Sequence, residues 1–112
     1  MEQWRTDHRR SRDQTWEFLL GQCEANGTYE FLDDLQALTD RTFDALEQLV
    51  AAHISLSKSL QSYEELSEGG SQFYELEWEV ISSIIEDIEK RMGFLGDCYL
   101  QTIDRLMRPS AD

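Results

Sequence analysis

The sequence predicts an all-α fold: a long antiparallel helical hairpin plus a short N-terminal helix, packed as a three-helix or dimeric bundle. Three observations predict it. Apolar residues recur at alternating spacings of three and four over two stretches of nearly equal length, Tyr29 to Leu66 and Phe73 to Met107. The pair Gly69-Gly70 lies between those stretches. Strict apolar-polar alternation, the mark of a half-buried strand, is nowhere sustained.

The first helix is expected over about residues 12–25. Ser11 and Gln14 have the spacing of a capping box, and the segment after them carries Trp16, Phe18, Leu19, Leu20 and Cys23. Asn26-Gly27 is its stop signal. Residues 1–11 hold Arg5, Arg9 and Arg10, with Arg12 adjoining, and read as a basic flexible arm whose Trp4 favours docking on some surface.

The second helix is expected over about 29–67, with Thr28 as its N-cap. Its stripe is Leu32, Leu35, Thr39, Thr42, Leu46, Leu49, His53, Leu56, Leu60 and Tyr63. The third, about 71–107, starts at an N-cap Ser71 after the Gly69-Gly70 cap and carries Ile81, Ile85, Ile88, Met92, Leu95, Tyr99, Thr102 and Leu106. Pro109 lies past the last periodic residue, so 109–112 form a tail and 12–108 a single helical domain. Gly93 and Gly96 each cost roughly 1 kcal/mol relative to Ala inside a helix, and close approach by another helix, near Ala45, is the expected compensation, with a kink near Phe94 as the alternative.

Length leads to an expectation about assembly. A first helix of about 13 residues covers roughly 20 Å, against roughly 54 Å for one of about 36 residues. Trp78, Ile84, Phe94, Cys98 and Ile103 also lie beside the main stripe of the third helix rather than within it. Leaving that band in water is unfavourable, so a homodimer or a tight hetero-partner is expected, most simply two hairpins sharing a core with Ile81, Ile84, Ile85, Ile88, Phe94 and Ile103 at the interface. A monomeric three-helix bundle is the simpler alternative.

A formal net charge of -13 argues against direct binding to nucleic acid or to anionic membrane surfaces. Around the hairpin tip Glu64, Glu65, Glu68, Glu75, Glu77 and Glu79 occur without an intervening Lys or Arg, interleaved with Tyr63, Tyr74 and Trp78. Carboxylates steer a cation inward and aromatic faces hold it, so these nine residues are the expected partner-binding site, for another protein with a basic segment.

Folding the chain back at its glycines separates Cys23 and Cys98 by about 15 Å along the helices, beyond the roughly 7 Å a disulfide allows between alpha carbons. Two free thiols point to an intracellular, reducing compartment, the cytoplasm in a bacterial or archaeal cell. No apolar run approaches the roughly 20 residues of a membrane span.

Neither His8 nor His53 has a Glu three residues before it, as a carboxylate-bridged dimetal bundle requires. No zinc-protease motif, phosphate loop or nucleophile elbow occurs either. No catalytic residue, metal or cofactor is therefore expected. His53, on the core stripe and expected level with Glu86 and Asp87, is the candidate pH-sensitive residue. The functional expectation is a noncatalytic interaction module, an adaptor, chaperone-like or scaffolding protein using the acidic tip and an exposed apolar helix face. The alternative is an acidic inhibitor that imitates nucleic acid and blocks a nucleic-acid-binding protein.

Overall fold

The computed structural model describes residues 3–68 and 75–107, the side chain of Ser67 excepted. These residues form three helices and no strand: α1 (Gln3–Asn26), α2 (Leu32–Glu68) and α3 (Glu75–Met107). The class is all-α, as the periodicity requires. Gly69, Gly70, Ser71, Phe73, Tyr74 and Pro109 lie outside the described residues, so the expected caps between the second and third helices do too. The chain divides into two compact units, one made of Met1–Glu47 with Leu95–Asp112 and the other of Gln48–Phe94.

The N-terminus departs from expectation. α1 starts at Gln3 and runs for 24 residues, so residues 3–11 are helix and not a flexible arm. The reason lies in the side chains that open its stripe. Trp4, His8, Arg12, Thr15, Leu19 and Cys23 keep the spacing of three and four, and all are half-buried or buried. Its first turns bury much of side chains that carry a polar group, Trp4, His8 and Arg12, which a purely apolar count overlooks. Ser11 is an exposed position inside this helix rather than its cap. At 1.5 Å per residue α1 is about 36 Å long, which removes the short first helix from the argument for a dimer.

α1 ends as predicted. Gly27 has φ 68°, and the Thr28 amide donates to the Cys23 carbonyl at 3.0 Å, the six-to-one bond of a Schellman cap. Thr28 itself does not cap α2. Its Oγ1 is buried without a hydrogen-bond partner, and α2 begins later, where the Leu35 amide donates to the Phe31 carbonyl at 2.8 Å. Asp33 and Asp34 occupy the first turn of α2, where carboxylates favour the positive end of the helix dipole.

The first unit contains α1, residues 32–47 of α2 and residues 95–107 of α3. Its core is Leu19, Cys23, Leu35 and Tyr99 with the buried hydroxyls of Thr39 and Thr42. Thr39 Oγ1 and the Tyr99 hydroxyl share a hydrogen bond of 2.8 Å, so neither is desolvated without a partner. Burial pushes the Tyr99 phenol above its ordinary range, and the bond to Thr39 partly offsets that. The Phe43 ring meets Tyr99 edge-on at 6.0 Å and lies 5.4 Å from the His8 ring. Cys23 and Cys98 are both free thiols, and Cys23 Sγ packs 3.6 Å from Met107 Sδ.

The described residues of the second unit are 48–68 of α2 and 75–94 of α3, two helix segments. Among its described residues only Ile85 and Ile88 are buried. Both were expected at an oligomer interface; they are instead the core of this unit, because they face inward on the main stripe of α3. Gly93 and Gly96 sit in an unbroken α3, and a Cβ added at either meets no atom within 4 Å. Neither the expected kink nor a neighbour filling the place of the missing side chain is found at either glycine.

Among the described residues no helix is long and apolar enough to cross a membrane, and no group of three His, Cys, Asp or Glu side chains is placed to hold a metal ion.

Candidate functional site

The second unit presents the acidic surface. Glu64, Glu65 and Glu68 end α2, while Glu75, Glu77 and Glu79 begin α3, and all six are exposed. The two ends are electrostatically unequal. Carboxylates in the first turn of α3 sit favourably at a helix N-terminus, whereas those at the end of α2 add negative charge to a negative dipole end, with no basic residue in the last turn. The run from Ser59 to Glu89 contains no Lys, Arg or His to relieve it.

Of the nine residues predicted to bind a partner, the structure joins two directly: Trp78 Nε1 donates to Glu64 Oε1 at 3.2 Å, tying α2 to α3. Gln61 Nε2 donates to Glu65 Oε1 at 3.5 Å along α2. Tyr63 is half-buried and engaged within the chain. Tyr74 lies outside the described residues. Trp78, 38% exposed, keeps part of its indole open to solvent beside these carboxylates.

The structure adds apolar residues that the acidic pattern did not single out. Leu76, Val80 and Ile84 are 69%, 51% and 42% exposed, and Leu66 on α2 is 51% exposed. Leu76, Val80 and Ile84 follow each other four apart and so form one ridge along α3, which runs on into the buried Ile88. Their spacing was legible; their exposure was not, because it depends on what α2 covers. Of the residues expected at an oligomer interface, Ile84 and Phe94 are exposed, Ile81 is half-buried here, and Ile103 is half-buried in the first unit.

His53 Nε2 donates to Glu89 Oε1 at 3.0 Å, so its carboxylate partner is Glu89 rather than the expected Glu86 or Asp87. The imidazole is 29% exposed at the side chain and the carboxylate 56%.

A second polar cluster lies in the first unit. His8, Arg9, Arg12, Phe43, Asp44 and Glu47 line a cleft of about 250 Å³ between α1 and α2. His8 Nε2 donates to the Phe43 carbonyl at 2.7 Å, and Arg9 Nε donates to Glu47 at 3.2 Å. Two arginines face two carboxylates, so the cleft has no net charge to select an ion of either sign. The remaining arginines of α1 also have local partners: Arg10 with Asp7 at 3.8 Å, Arg12 with Asp13 at 3.4 Å, and Arg5 over the Trp4 ring at 4.8 Å. Trp4 is half-buried with its Nε1 enclosed and unpaired, so it docks on its own chain.

No protein-family model, curated protein or solved structure matches the chain.

Proposed function

We propose that the protein is a noncatalytic interaction module whose second unit binds a basic segment of another protein. The observation that carries the reading is the coincidence of two exposures on one unit: six glutamates around the α2 and α3 ends, and Leu66, Leu76, Val80 and Ile84 among them. Long-range attraction by the carboxylates brings a cation in, and apolar contact holds what has arrived. Adaptor, chaperone-like and scaffolding roles all use such a surface.

The nucleic-acid-mimic alternative needs carboxylates alone. Three exposed aliphatic side chains along one ridge favour the adaptor, since they contribute nothing to an imitation of phosphates. Fluorescence anisotropy of a labelled oligolysine probe tests the electrostatic half. Binding is expected at low salt and should weaken on replacing Glu64, Glu65 and Glu68 by Gln. An affinity that those three substitutions leave unchanged would sink the reading.

A further inference from the structure

We infer that the segment received by the second unit is a cationic amphipathic helix, which lies along α3 and supplies the third helix that this unit lacks. The inference rests on the proposed interaction role and specifies the partner's form. The first unit shows how this chain completes such packing: α1 buries one stripe beside α2 and α3 segments and bonds its Arg9 to Glu47 of α2. Among its described residues the second unit has the two segments and the carboxylates but no third stripe.

The shape of the open face fits a helix. Leu76, Val80 and Ile84 form a continuous row, and a row of that kind receives apolar side chains at helical spacings of three and four. Glu79 and Asp87, each three residues beyond a ridge residue, are exposed on the side of the ridge away from the buried stripe. Lys or Arg flanking the partner's apolar stripe meets them there. Charge also selects the occupant. A second copy of this chain brings a net charge of -13 to the same surface, whereas a basic helix relieves the repulsion among the carboxylates.

The test uses the full chain and three labelled probes: a Leu/Lys peptide patterned as an amphipathic helix, a scrambled peptide of the same composition, and oligolysine. The amphipathic probe is expected to bind about tenfold or more tightly than the scrambled one and to gain helical circular dichroism on binding. Replacing Leu76 and Val80 together by Ser should weaken it by about tenfold, the loss typical of contacts central to an interface. Both positions are exposed, so the melting temperature of the variant checks that the fold is intact. Equal binding of all three probes, indifferent to the Ser replacements, overturns the helix and leaves acidic docking standing. No binding by any probe overturns both. Sedimentation showing that the free chain is already a dimer, dissociated by the same replacements, also overturns the helix, because the ridge would then be covered by a second copy.

Discussion

The two units contain segments of the same two long helices and differ in what those segments meet. In the first, α1 completes the packing: Leu19, Cys23, Leu35, Thr39, Thr42 and Tyr99 are buried, and a hydroxyl pair is satisfied inside. In the second, Ile85 and Ile88 are the buried residues among those described, and aliphatic side chains along α3 stay in water. Similar amphipathic patterns thus give a core in one place and an exposed aliphatic ridge in the other. A third helix is the difference, because one neighbouring helix covers only part of an apolar arc that two can enclose.

The contrast is most sharply tested by truncating one leucine in each unit. Leu35→Ala is expected to cost about 2–5 kcal/mol in denaturant unfolding, from lost transfer energy and the cavity left behind. Leu76→Ala should stay within about 0.5 kcal/mol, as for exposed sites generally. Comparable losses at both positions would remove the distinction between the units.

The buried hydroxyl pair comes next. Thr39→Val and Tyr99→Phe each strand the other hydroxyl and should each cost about 1–3 kcal/mol, while the double variant loses less than the sum. Alkaline pH probes the same place. An unfolded tyrosine ionises near 10.0, and burial keeps the Tyr99 phenol protonated to higher pH in the folded state. The unfolded chain therefore releases its proton first, so stability is unaffected below that range and declines as pH rises through it. Thermal melts across the alkaline range should show this decline reduced in Tyr99→Phe.

Smaller effects come from helix glycines where a methyl has room. Gly93→Ala and Gly96→Ala should each stabilise by about 0.5–1 kcal/mol, since the added methyl meets open space and the unfolded chain loses freedom. A loss at either site would reveal close packing there. Last, Glu68→Lys at the negative end of α2 should add about 0.3–1 kcal/mol at low salt and much less at high salt. The same change should weaken the binding of a cationic probe, setting stability against the proposed role.

Much of the framework could be read along the chain. Gly27 closes α1 where Asn26-Gly27 announced a stop, and the two long stripes became α2 and α3. The start of α1 was misplaced because Ser11 and Gln14 have capping-box spacing, while the true beginning rests on Trp4, His8 and Arg12, whose polar ends hide their buried bodies. At the acidic site, the glutamates and Trp78 were legible from composition. The aliphatic ridge was not, because Ile84 and Ile85 are equally apolar and adjacent in sequence yet one is 42% exposed and the other buried.

Helical periodicity and the placement of charge are local properties, so residue order was enough to establish an all-α chain with an acidic stretch, Ser59 to Glu89, that contains no Lys, Arg or His. Which stripe residues became interior, and that His53 bonds Glu89 instead of Glu86 or Asp87, depended on the packing of separate helices. A small shift in register, or the presence of a third helix, changes which side chain is covered without changing the pattern along any one helix.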